Sequence, residues 1–98
     1  MSKTMSLKAS GEKGRAKPLA AAIAGKLCSG DDNFFVEAVG ASAISNSVKA
    51  IAIANTMLWQ SGETFRASAM PEFRNRSDSK GREFTLIRFR VMKVRRED

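Results

Sequence analysis

Residues 36 to 58 read VEAVGASAISNSVKAIAIANTML, and this stretch decides the fold because it runs from a strand end through a small-residue turn into a long apolar helix. Val36 and Val39 suit a strand. Gly40-Ala41-Ser42 then supplies the backbone freedom and the hydroxyl that helix starts prefer. The helix is expected over residues 43 to 58. Ile44, Val48, Ile51, Asn55 and Leu58 recur at three- and four-residue spacing, and Ala43, Ser47, Ala50, Ala54 and Met57 form a second, mostly small-residue stripe beside them. A helix with so few polar positions buries more than one face. It is therefore expected to lie on a sheet and to be covered by another helix or a second copy of the chain.

Upstream, residues 4 to 10 (TMSLKAS) alternate Met5, Leu7 and Ala9 with polar residues, the period of a half-buried strand. GEKGRAK, residues 11 to 17, reads as a loop. Pro18 suits a first helical turn, and Leu19, Ile23 and Leu27 mark one face of a helix to about Ser29, kept thin by Ala20, Ala24 and Gly25. Residues 34 to 39 (FFVEAV) form the second strand. Downstream of the central helix, Phe65, Ala67, Ala69 and Phe73 alternate with polar residues in a third strand, which Pro71 places at an edge or a bulge. NRSDSKG, residues 75 to 81, is a charged turn. Residues 82 to 94 make the fourth strand, with Ile87, Phe89 and Val91 toward the core and Phe84, Leu86, Arg88 and Arg90 on the opposite face. The VRRED end is expected to fray. The order is βαβαββ. Right-handed crossovers make the first two strands parallel neighbours and put both helices on one face of a four-stranded mixed sheet, a two-layer α+β fold.

With 98 residues the chain is expected to form one domain (core about 4–94, hairpin 74–82, tail 95–98). The single cysteine, Cys28, excludes an internal disulfide, and the absence of His excludes a Cys/His zinc site and a histidine-based triad. No cofactor is expected. The apolar 34–58 region is interrupted by Glu37, Gly40, Ser42 and Lys49, so no segment reaches transmembrane length, and the N-terminal residues lack the apolar run of a signal peptide. A reducing, cytosol-like location follows as the expectation. No nucleophile, base and oxyanion set converges in the sequence, which points to a binding protein rather than an enzyme. Cys28 reads as a small buried hydrophobe, with mild activation by Lys26 as the competing view. Trp59 is read as a cap on the core in preference to an interface anchor. Glu37 has no evident carboxylate partner, and Asp31 and Asp32 read as loop formers.

Charge placement is more informative than the net +7. Residues 1–17 carry five Lys or Arg against Glu12, residues 18–73 are net acidic, and residues 74–98 carry nine Lys or Arg against four acids. If the two basic segments meet in space, they form one surface suited to polyanions.

The phrase VGASAISNSVKAIAIA, with LKAS near the N-terminus, AAAIAGKL in the first helix and the weaker Pro71-Glu72-Phe73, resembles the stage V sporulation protein S family within the wider Alba-like group. The similarity spans about Leu7 to Val94. It implies a βαβαββ fold, a homodimer, a role in developmental regulation, and binding of DNA or RNA by the loop before the first helix together with the hairpin. Gly14-Arg15-Ala16-Lys17-Pro18 matches the Alba pattern of a glycine followed by a lysine directly before proline, so Lys17 takes the nucleic-acid contact by position. The basic residue that Alba proteins often place before the central helix falls on Ser42 here.

The candidate site residues follow. Arg74, Arg76, Lys80 and Arg82 lie on or beside the hairpin turn, where guanidinium groups can fork onto phosphate oxygens. Lys13, Arg15 and Lys17 lie before a helix start, where anions are favoured. Arg88 and Arg90 share a strand face with Phe84 and Leu86, a mixed basic and aromatic surface of the kind that stacks single-stranded bases. Each set has a competing reading: solvated surface charge for the two loops, and burial of Phe84 and Leu86 under a second subunit or a tail for the strand face. A regulatory protein-interaction module on the same fold is the alternative function.

Overall fold

The computed structural model describes residues 6 to 96. Its elements are β1 (Ser6–Lys8), α1 (Ala16–Cys28), β2 (Asn33–Ala38), α2 (Ala41–Gln60), β3 (Phe65–Ser77) and β4 (Glu83–Arg95). Thr4 and Met5 of the expected first strand, and Glu97 and Asp98 of the expected frayed tail, lie outside the described residues. β4 continues to Arg95, and the Arg96 amide donates to Thr64 O at 2.9 Å.

The sheet order is β1-β2-β4-β3, with β1 parallel to β2 and β4 antiparallel to both β2 and β3. This is the α+β, four-stranded mixed sheet expected from the sequence. The β2–α2–β3 crossover leaves a gap of one strand, which β4 fills. β3 is thereby an edge strand, and its Pro71 sits where a missing N–H is tolerated. Asn55 of α2 covers another part of that edge: its Oδ1 accepts from Ala67 N at 2.7 Å and its Nδ2 donates to Ala67 O at 3.1 Å.

The core joins Ala20, Ile23 and Leu27 of α1, Phe34, Val36 and Ala38 of β2, Ala43, Ala50, Ala54 and Leu58 of α2, and Phe89 and Val91 of β4. The buried stripe of α2 is Ala43, Ser47, Ala50 and Ala54 of the small-residue set, continued by Leu58 in place of Met57; Ile44 and Ile51 are only partly buried, and Val48 is 55% exposed. The reason is close approach: alanines on both helices let α1 lie against α2 while both cover the sheet. Burying Phe34, Ile23, Leu27 and Leu58 contributes about 1.5–3 kcal/mol each. Inside that stripe, Ser47 turns its hydroxyl back to Ala43 O at 2.8 Å and so stays satisfied.

Several local readings are corrected. Ser42 does not cap α2; the N-cap is Gly40 at φ 89°, a backbone region open to glycine, with no side-chain cap hydrogen bond. Trp59 is 57% exposed, with the Arg96 guanidinium 3.8 Å from its ring centroid. It lies past Leu58, the last buried residue of α2. Cys28 is exposed at the end of α1, where desolvation and then the Glu63 carboxylate push its thiol pKa up, the opposite of activation. Leu86 is only 4% exposed within the single chain, so it needs no second subunit to be buried.

Candidate nucleic-acid interface

Three turns lie at the end of the sheet where the parallel strands β1 and β2 finish. They are the β1–α1 loop, the β2–α2 turn and the tip of the β3–β4 hairpin. The last β2 residue paired with β4 is Ala38, opposite Ile87, yet β3 and β4 go on pairing to Ser77 and Glu83. The hairpin therefore projects past the sheet by four residue pairs, roughly 14 Å at the usual strand rise. The N-termini of α1 and α2 lie at this same end. Neither has an acidic residue in its first turn or a side-chain cap, so both present partly positive backbone amides.

The first loop is fastened to α2. Asn46 Nδ2 donates to Ser10 O at 2.8 Å and to Glu12 O at 2.9 Å. Gly11 packs so near the first turn of α2 that a Cβ there would fall 3.1 Å from the Ser42 Cβ. With its base held, the loop displays Lys13, Arg15 and Lys17 as exposed side chains with no ion pair among the described residues.

The hairpin tip is built around Asp78. Its Oδ1 accepts from Lys80 N and Arg82 N, both at 2.9 Å, its Oδ2 accepts from Arg82 Nε at 3.0 Å, and its own amide donates to Arg82 O at 2.9 Å. The Arg82 amide, followed by the Lys80 amide and the Arg82 side chain, holds the Asp78 carboxyl below its ordinary pKa. Gly81 at φ 78° completes a closed, hydrogen-bonded turn. Lys80 is left pointing out without an ion pair among the described residues.

The remaining candidates divide by what they already hold. Arg76 forks onto Glu37, whose side chain is only 7% exposed, so this arginine satisfies a buried carboxylate and ties the hairpin to β2. Arg88 donates through Nε to Glu72 Oε1 at 2.7 Å and stacks 3.9 Å from the Phe35 ring centroid. That hydrogen bond is the main cause of the lowered Glu72 pKa, with the nearby charges of Arg88, Arg90 and Arg74 adding to it. Arg90 lies 5.0 Å from the same ring and, like Arg74, has no ion pair among the described residues.

Of nine candidate cations, Arg76, Arg82 and Arg88 are thus committed to carboxylates. The unpaired ones at the converging end are Lys13, Arg15, Lys17, Arg74 and Lys80. Sequence reasoning missed Glu37, Glu72, Asp78 and Asn46 as organisers. Asn46, one of few polar positions on an apolar helix, carried a signal that could have been read; the carboxylate pairings depend on strand register. Among the described residues no cluster of metal-ligating side chains occurs, and no helix is long and apolar enough to cross a membrane.

Fold and strand order define an Alba-like α+β domain, and the solved structure of Alba from Thermoplasma volcanium is similar to it. That match has a TM-score of 0.58 over 92% of this chain and 99% of the other, at 11% sequence identity. The family model for stage V sporulation protein S (SpoVS) matches residues 5–94, and the chain belongs to that family. Comparison with curated proteins gives no match.

Proposed function

We propose that this protein is a homodimeric, cytoplasmic nucleic-acid-binding protein that grips phosphate with two positively charged arms, the β1–α1 loop and the β3–β4 hairpin. The observation that carries this reading is the gathering of five unpaired cations and two acid-free helix N-termini at one end of the sheet. Backbone amides and lysines there favour phosphate oxygens, and the arginines can fork onto them. Among the described residues no helix presents a row of base-reading side chains at that end, so affinity is salt dependent and sequence preference weak. The function is binding, without a chemical step.

Support for a dimer comes from apolar surface left open by one chain. Phe73 is 78% exposed on edge strand β3, and with Pro71 and Ile87 it borders a shallow apolar recess; a second copy is the occupant proposed for it. Sedimentation of wild type against Phe73→Asp tests this, with loss of the dimer in the variant expected. Gel shifts with DNA and RNA across a salt series test the main reading. Binding absent even at low salt would leave the protein-interaction module in its place.

A further inference from the structure

We propose a second binding surface on the helix-free face of the sheet, and single-stranded nucleic acid as its ligand. The inference deepens the reading above and rests on nucleic acid as the ligand, not on the arms. Both helices pack on one side, so among the described residues the other is formed chiefly by strand side chains. Register places Phe35, Arg90 and Met70 in one row across it, Lys8, Glu37, Arg88 and Glu72 in the next, and Leu86 with Arg74 and Phe84 with Arg76 beyond.

Both carboxylates on this face are already neutralised: Glu37 by Arg76 and Glu72 by Arg88. Lys8, Arg74 and Arg90 have no ion pair among the described residues, so the face carries a surplus of positive charge. Between these cations lie apolar and aromatic groups that the chain leaves partly open, Met70 at 50% and Phe84 at 36% exposed, with Phe35 half-buried under two guanidinium groups. Arg90 thus stands about one strand spacing from both Met70 and Phe35, and Arg74 lies in the row next to Phe84. The complementary ligand is an anionic chain that bears flat apolar groups, in other words unpaired bases on a phosphate backbone. A duplex keeps its bases stacked inside and can use only the charges.

The test compares binding of a labelled mixed-sequence single strand with that of its duplex. The double substitution Phe84→Ala with Arg90→Gln is expected to weaken single-strand binding about tenfold, the order of one base stack, and duplex binding less than twofold. Met70→Ser, at an exposed position, removes an apolar group without changing charge, is expected to show the same selectivity and decides the matter if the double variant fails to fold. An unchanged single-strand affinity, or an equal loss on both probes as burial of this face by a second copy would give, overturns the proposal. Neutralising Lys13, Arg15 and Lys17 separates the two readings: it should weaken both probes. If it weakens neither while the sheet-face variants remain selective, the arms are excluded and the sheet face stands.

Discussion

Glu37 shows how a residue can look idle in sequence and be central in space. Alone on an apolar strand it suggested nothing, because its partner lies 39 positions away and is brought over only by strand order and register. Removing the partner should cost more than removing the acid. Arg76→Ala leaves a buried carboxylate unpaired and is expected to lower stability by about 2 kcal/mol, discounted from a fully buried pair because the Arg76 side chain is 42% exposed. Glu37→Gln keeps shape and hydrogen-bonding capacity, and a loss of about 1 kcal/mol is expected. Urea denaturation of both variants checks the order; Arg76→Ala as stable as wild type would contradict it. One consequence is practical: weaker binding in an Arg76 variant does not by itself assign phosphate to that guanidinium. Trp59 and Cys28 misled for a related reason, since hydrophobic type sets only an average burial and both sit just past the last buried residue of their helices.

The elements themselves were legible. Periodicity located both helices and all four strands, and Pro71 marked the edge strand, since each signal is local. Which stripe of α2 faces inward was not, because the spacing fits both and the choice depends on how closely α1 can approach. The length of the hairpin was also hidden: a charged, polar stretch gives no apolar alternation, and β3 extends through it by pairing with β4. Two expectations belong at this scale. Asn55→Ala exposes the β3 edge at Ala67 and should destabilise the protein by about 1–2 kcal/mol for two hydrogen bonds, with faster amide exchange in β3 as the second readout. The hairpin should also respond to acid. Asp78 has its pKa lowered by the folded turn from an ordinary 3.8, so its contribution is complete above that value and disappears as pH falls through the lowered one. Glu72 shares this sign through Arg88. The Lys80 and Arg82 amide resonances should hold steady from neutral pH to about 4 and move together below it, whereas in Asp78→Asn the turn should already be loosened at neutral pH.

At the scale of the molecule, two basic segments far apart in sequence were expected to act together. The topology bears on only part of the second segment: Arg74, Arg76, Lys80 and Arg82 lie on the hairpin, whereas Lys93 and Arg95 pair with the start of β3 at the opposite end of the sheet. A parallel β1–β2 pair brings the loop after β1 and the turn after β2 to one end, and β3, parallel to both, sends the hairpin the same way. The sequence could not say which cations would arrive there uncommitted, since pairing with Glu37, Glu72 and Asp78 is decided by register and turn geometry. This division yields the last expectation. Lys13, Arg15 and Lys17 changed to Gln should reduce the slope of log affinity against log salt by roughly 2 to 3 for duplex DNA, about one unit for each phosphate no longer neutralised. Arg74 and Lys80 changed to Gln should remove up to about 2 more, and the combined variant should show the sum, because the two arms reach separate phosphates of one ligand. Arg82→Gln, whose guanidinium already serves Asp78, should change the slope by less than any of these. Salt titrations of the four variants measure this directly, and a combined variant no flatter than either arm alone would mean that the arms never engage the same ligand.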